Sequence, residues 1–115
     1  MKSSGTYKPR RLTSRERGQL VKFARYLMDN TPHGERGVAV LIPGRTFGWI
    51  NKLANGKPDI APTEVDYRLF ESAAKTARTF IDKGIILNGR VVRLMRLMGE
   101  LQREIASLLE ETYAR

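Results

Sequence analysis

Residues 37–57 read GVAVLIPGRTFGWINKLANGK, and they contain two short elements separated by a turn. An apolar segment from Val38 to Ile42 stops at Pro43-Gly44. A helical pattern then begins at Thr46 and ends at Asn55-Gly56. The helical repeat predicts two faces for this second segment. The buried face comprises Phe47, Ile50, Leu53 and Ala54, and the outer face comprises Arg45, Gly48, Trp49 and Lys52.

A short helix with a basic and aromatic outer face, one tight turn after another apolar element, is typical of a helix-turn-helix, which places its second helix in the major groove of DNA. We therefore predict a mainly α-helical domain with a helix-turn-helix at its centre. Periodicity does not decide whether Val38 to Ile42 forms the first helix of that motif or a buried strand.

The charge distribution supports a polyanionic partner. The formal net charge is +9. Residues 1–60 contain 12 Lys and Arg against 4 Asp and Glu, whereas residues 61–115 contain 9 against 8. The excess thus lies in the half that carries the predicted motif, and this favours double-stranded DNA, with RNA, an acidic protein or a membrane surface as alternatives.

Composition argues against several other classes of protein. The chain has no cysteine, and its single histidine, His33, lies in a turn without clustered carboxylates. We therefore expect a non-enzyme with no cofactor and no metal site. No apolar run is long enough to span a bilayer, and residues 1–11 lack the apolar core of a secretory signal, so we expect a cytoplasmic protein with no membrane partner.

The sequence predicts a flexible basic arm over residues 1–12, before the DNA-binding domain begins at residue 13. Residues 1–12 combine basic residues with Ser, Gly and Pro, which is typical either of an arm that follows DNA or of a solvated terminus. A helix begins after Thr13, which forms a capping box with Glu16, and ends before Pro32. The candidate DNA contacts of the arm and this helix are Lys8, Arg10, Arg11 and Arg15.

The C-terminal half contains two more predicted helices. One is capped at Thr63 and ends at Lys83-Gly84, which closes a DNA-binding domain over residues 13–84. The other occupies residues 88–115, and its a/d heptad pattern predicts self-association as a dimer, with folding back on its own domain as the alternative. The positions concerned are Val91, Leu94, Met98, Leu101, Ile105 and Leu108.

Two features of this last helix need explanation. Basic residues at its start and acidic residues towards its end oppose the helix dipole, which predicts a compensating partner such as an antiparallel helix or phosphates.

Residues 85–92 contain Asn88-Gly89 between apolar runs, which is typical of a β-hairpin wing. A turn leading directly into the helix is the reading we favour.

Residues 46–56, TFGWINKLANG, with Lys57 and the capped helix at Pro62-Thr63, resemble the recognition helix and following segment of lambda-repressor-like (Cro and C1 type) helix-turn-helix proteins. The resemblance extends over roughly residues 37–82. It implies that Arg45, Thr46, Trp49 and Lys52 face DNA, and that Asn55 and Lys57 reach phosphates.

Side-chain chemistry adds candidate base contacts within this helix. Asn51 and Lys52 have the donors and acceptors that read adenine and guanine, respectively. Trp49 is either a core residue or a residue that stacks on a base, supported by the neighbouring cations.

The function predicted from these features is sequence-specific binding of double-stranded DNA by a homodimeric transcriptional regulator. One alternative is a helix-turn-helix adaptor in DNA packaging, replication or partition, assembled into a ring through the last helix. Another is a basic protein-interaction module that binds and modulates a larger nucleic-acid machine.

Overall fold

Five α-helices make up the fold in the computed structural model, which describes the backbone of residues 10–113 and their side chains other than those at positions 35 and 110–113. The only β-pairing among these residues is an isolated bridge between Arg11 and Thr63. The predicted mainly α-helical fold is confirmed. The helices are α1 (Ser14–Asn30), α2 (Glu35–Leu41), α3 (Phe47–Ala54), α4 (Glu64–Asp82) and α5 (Gly89–Tyr113).

Capping boxes fix the starts of α1 and α4, where the sequence predicts a capping box at Thr13 and a cap at Thr63. The Thr13 hydroxyl accepts a hydrogen bond from the Glu16 N–H at 3.1 Å, and the Glu16 carboxylate accepts one from the Thr13 N–H at 3.0 Å. At α4 the Thr63 N–H donates to the Asp66 carboxylate at 2.9 Å. Each bond satisfies a backbone group that a helix start leaves without an intrahelical partner.

The ambiguous segment from Val38 to Ile42 forms the end of a helix, α2, and its C-cap at Ile42, rather than a strand. Because Gly37 has no side chain, this short helix can approach closely to the residues that follow α1. A Cβ atom at Gly37 would collide with the carbonyl oxygen of Pro32 and would lie 2.8 Å from the Thr31 side chain. The absence of a side chain therefore lets α2 pack closely against the turn that precedes it.

The core lies between α1, α2, α3 and α4, with the first half of α5 along one side. Its largest fully buried side chains come from all of the first four helices and from the turn after α2. They are Phe70, Leu20, Leu27, Leu41, Ile42, Ile50, Leu53 and Val38.

A turn, not a β-hairpin, connects α4 to α5. Gly84 adopts φ +80° after the end of α4, a conformation that favours glycine. The Asn88 side chain accepts a hydrogen bond from the Val91 N–H at 3.1 Å and so caps the start of α5. The favoured reading of residues 85–92 is thus confirmed in the structure.

One side of α5 packs on its own domain, and the heptad positions lie largely outside that contact. Val92 and Met95 are buried, and Gly99 lies against Pro43. Val91 is half-buried, whereas the other heptad positions expose between 42% and 64% of their surface. These exposed positions are Leu94, Met98, Leu101, Ile105 and Leu108.

Arginines of α5 bind carbonyl groups at the end of α2. Arg96 donates to the Val40 carbonyl at 2.6 Å, and Arg103 donates to the Pro43 carbonyl at 2.9 Å. Carbonyls at a helix C-terminus carry partial negative charge, so they stabilise a cation placed there. The end of α2 therefore compensates part of the unfavourable charge polarity of α5.

Within residues 10–113, none of the helices combines the length and the apolar character that crossing a bilayer requires.

Gly37→Ala should destabilise the fold because its methyl group has no space beside Pro32. We expect the free energy of unfolding to fall by about 1–3 kcal/mol, the usual cost of overpacking. Gly18→Ala is the matched control, since Gly18 lies within α1 with no atom near its missing Cβ. It should raise stability by about 0.5–1 kcal/mol through helix propensity. Urea titration followed by circular dichroism measures both, and equal effects would contradict the close approach.

The pKa of Glu16 should respond to Arg10. Hydrogen bonds from Arg10 and the Thr13 N–H lower the pKa of Glu16 from 4.5 to about 2. Because the folded-state value is the lower one, the resulting stabilisation is complete above pH 4.5 and is lost as the pH falls towards 2. An NMR titration of Arg10→Ala should show the Glu16 midpoint rising towards 4.5. Arg15→Ala, which removes a neighbouring arginine, should leave it near 2.

Candidate nucleic-acid interface

A five-residue turn connects α2 to α3. The Ile42 N–H donates to the Val38 carbonyl at 2.8 Å and completes α2. Gly44 then reverses the chain with φ +91°, a conformation that side chains rarely adopt. Thr46 caps α3, because its hydroxyl accepts a hydrogen bond from the Trp49 N–H at 3.2 Å. Two short helices thus flank a turn that contains Gly44.

Two arginines from α1 hold the C-terminal end of α3. Arg25 donates from Nε to the Ala54 carbonyl at 2.8 Å. Arg17 donates to the Lys57 carbonyl at 2.7 Å and to the Ile60 carbonyl at 3.1 Å. These cations satisfy carbonyl groups at the negative end of α3 and in the loop that follows. Their positive charge thus fixes the position of α3 on the domain.

Arg45 does not lie on the outer face that the sequence predicts. Its guanidinium makes two hydrogen bonds of 2.7 Å to the Asp66 carboxylate, from Nε and Nη2. The Asp66 side chain is only 5% exposed, and that of Arg45 is 29% exposed. Arg45 therefore joins the turn before α3 to the start of α4. The helical repeat missed this role because Arg45 precedes α3 and its partner lies 21 residues away.

The two aromatic residues of α3 exchange the positions predicted for them. Trp49 packs against the core, with its ring centroid 6.3 Å from that of Phe70 and with the Arg45 guanidinium carbon 4.1 Å away. Phe47, predicted to be buried, is 49% exposed. Phe47 is the first residue of α3, and helical side chains point towards the N-terminus, so its ring projects beyond the body of the helix.

The remaining positions predicted to face outwards from α3 are exposed. Lys52 forms an ion pair with Asp59 at 2.8 Å, in which each side chain is about half exposed, and this contact lowers the pKa of Asp59. Asn55 donates to the Asn51 carbonyl at 2.8 Å and closes the last turn. The other exposed positions are Thr46, Gly48 and Lys57.

Arg36 is a residue that the sequence reasoning missed. Its guanidinium carbon lies 5.0 Å from the centroid of the Phe47 ring, which brings a cation of α2 next to α3. Only the spacing between the two helices, which a sequence pattern does not contain, could have revealed this contact. We define the α3 surface as the exposed residues of this region: Arg36, Thr46, Phe47, Gly48, Asn51, Lys52, Asn55 and Lys57.

The described part of the basic arm is attached to the domain. Arg10 forms an ion pair with Glu16 at 2.7 Å and with Glu64 at 3.5 Å. Arg11 is exposed and pairs through its backbone with Thr63. Arg15 is exposed on the first turn of α1, and Lys8 lies outside the described residues. Arg10 is therefore engaged in binding acidic side chains, while Arg11 and Arg15 offer cationic side chains to solvent.

No group of three or more His, Cys, Asp or Glu side chains with metal-binding geometry occurs among the residues that the structure describes. The chemistry that the α3 surface offers is hydrogen bonding by amides, a hydroxyl, ammonium groups and the Arg36 guanidinium, together with one aromatic ring.

Arg45→Ala should destabilise the domain strongly, because it leaves the buried Asp66 carboxylate without its cation. Breaking a buried ion pair in this way costs about 3–5 kcal/mol, and the partial exposure of Arg45 places the expected loss near the lower end. Lys52→Ala is the control, since the exposed pair with Asp59 should contribute about 1 kcal/mol or less. Thermal and urea unfolding measured by circular dichroism at low and moderate salt compares them. Similar losses in both variants would contradict a structural role for Arg45.

Comparisons of the chain with protein-family models, with curated proteins and with solved structures give no match. The assignment of a function therefore depends on the geometry and charge of the α3 surface.

Proposed function

We propose that this protein binds double-stranded DNA sequence-specifically through the α3 surface and acts as a homodimeric transcriptional regulator. The observation that supports this best is the presentation of α3. It follows a glycine turn, packs inwards through Ile50, Leu53 and Ala54, and leaves its opposite face exposed. A short exposed helix held in this way has the form of a recognition helix.

The chemistry of the surface fits a polyanion. The sequence of α3, FGWINKLA, contains no acidic residue, and Arg36 and Lys57 add positive charge beside it. Asp59 is the one acidic side chain that pairs with Lys52, and both are well exposed. Exposed pairs of this kind are weak, so Lys52 can exchange Asp59 for a phosphate or a guanine at little cost.

Three side chains of α3 suit the reading of bases. The amide of Asn51 matches the donor and acceptor pattern of adenine in the major groove, and the ammonium of Lys52 matches the acceptors of guanine. The exposed ring of Phe47 suits apolar contact with a thymine methyl group. Phe47 thereby takes the outward place that the helical repeat predicts for Arg45 and for Trp49, whose alternative as a core residue is the one that its packing against Phe70 fits.

Rigid support favours specificity over simple charge attraction. Arg25 binds the C-terminal end of α3, Arg17 binds the loop that follows it, and the Arg45–Asp66 pair holds its N-terminal side. A recognition helix that is ordered before binding loses little conformational entropy on the DNA. Two copies of such a helix in a dimer would contact two half-sites about 34 Å apart, or a multiple of this distance.

Selection of preferred duplexes from a random library, followed by fluorescence anisotropy across a salt series, tests the proposal. Asn51→Ala should remove about 1–3 kcal/mol of discrimination at one base position. Lys57→Ala should weaken binding to all duplexes alike and reduce the salt slope by about 1. Both retain the contacts that hold α3 in place.

Lys75→Ala serves as the matched control, because Lys75 is an exposed lysine of α4 that pairs with Glu71. It should change neither discrimination nor the preferred sequence. If no duplex survives competition by random DNA, the α3 surface is not a sequence reader. If RNA competes as well as the selected duplex, RNA is the better candidate. Binding to acidic protein surfaces alone would favour the interaction module.

A further inference from the structure

The outer side of α5 carries the longest row of exposed apolar side chains among the described residues. Five large side chains on it expose between 42% and 64% of their surface. From the first to the last they extend about 16 Å along the helix axis, at 1.5 Å per residue. They are Leu94, Leu97, Met98, Leu101 and Ile105.

The domain itself leaves this row open because it binds the other side of α5. Val92 and Met95 are buried, Gln102 donates to the Ser72 hydroxyl at 2.6 Å, and Arg103 binds the turn after α2. These contacts fix the rotation of the helix about its axis. The heptad positions predicted for self-association therefore point away from the core to which α5 is attached.

The charges of α5 indicate which kind of surface would complement it. Arg90 and Arg93 are exposed near its start, and Glu100 and Glu104 are exposed further along. Arg96 and Glu100 form an ion pair at 3.2 Å in the middle of α5. Because these two charges cancel each other, the helix keeps a positive first end and a negative second end. A helix with a basic first half and an acidic second half is complementary to itself when a two-fold axis reverses one copy.

We infer that the outer face of α5 is the interface for a second copy of this chain, with the two α5 helices packed antiparallel. In antiparallel heptad packing, a positions face d positions of the second copy, so Met98 meets Leu101 and Ile105 meets Leu94. Glu104 of one copy then lies beside Leu97 of the other copy. Arg93 of that other copy is one helical turn away from this Leu97, so it is within reach of Glu104. A parallel pair would instead place like charges together at both ends, which is unfavourable.

This inference deepens the dimeric part of the proposed function, and its test does not involve DNA. The first experiment is sedimentation equilibrium of the full chain over a concentration series, which should show twice the monomer mass. Arg93→Glu and Glu104→Arg should each weaken dimerisation by about tenfold, because each places like charges together. The double variant should restore it, since reversing both ends recreates opposite charges across the interface.

Lys22→Glu is the matched charge reversal, because Lys22 is an exposed lysine on α1, and it should not change the dimer. Leu101→Glu should give monomers by placing carboxylates in the apolar row. Helical content and the emission of the single Trp49, which packs in the core, show whether each variant is folded. If the double variant remains as weak as the single ones, the antiparallel arrangement is overturned.

Cysteine cross-linking gives the direction independently, since the chain has no cysteine of its own. A mixture of Leu94→Cys and Ile105→Cys chains should form a mixed disulfide under mild oxidation. Leu94→Cys alone should not, because disulfides need close Cα atoms. Cross-linking of Leu94→Cys with itself would establish parallel packing and overturn the inference. A monomer at all concentrations, or a ring of higher mass, would also overturn the inference. If such a protein still bound DNA sequence-specifically, the proposal for the α3 surface would stand on its own.

Discussion

The ion pair between Arg45 and Asp66 connects the parts of this fold that define its candidate site. Arg45 lies in the turn between α2 and α3, and Asp66 lies in the first turn of α4. The same carboxylate accepts a hydrogen bond from the Thr63 N–H, so one buried acidic group both caps α4 and holds the turn. The guanidinium also covers Trp49 of α3. The entry to α3, its aromatic core residue and the start of α4 thus depend on one pair of charges.

Much of the positive charge in the first half of the chain serves the fold. Arg25 binds a carbonyl at the end of α3, and Arg17 binds carbonyls in the loop that follows. Arg45 binds Asp66, and Arg10 binds Glu16 and Glu64. A net charge counted from sequence therefore overstates the number of cations free to meet a polyanion. The cations that face solvent around α3 are few, and this favours recognition by defined contacts over a broad electrostatic surface.

The sequence predicted those features that depend on short-range chemistry. The capping box at Thr13 involves residues three apart, Thr63 caps α4 from the position directly before it, and the glycine at position 84 ends a helix by its own conformation, so local patterns sufficed. Predictions failed where distant packing decides. The exchange of Phe47 and Trp49 and the inward position of Arg45 depend on where α4 lies relative to α3. The sequence left open whether Val38 to Ile42 forms a helix or a strand, and the close approach of Gly37 to Pro32 that accompanies the helix is visible only in the structure.

The contacts of Arg96 and Arg103 with the end of α2 and its turn have a mechanical consequence. Val40, which Arg96 binds, lies in α2, and Pro43, which Arg103 binds, lies within the turn that leads to α3. A displacement of α5 as a rigid rod must either break these hydrogen bonds or move the turn with it. Only residues 44–46 separate Pro43, which Arg103 binds, from the start of α3. A displacement of the helix that carries the exposed apolar row is therefore transmitted through a short stretch of backbone to the helix that carries the α3 surface.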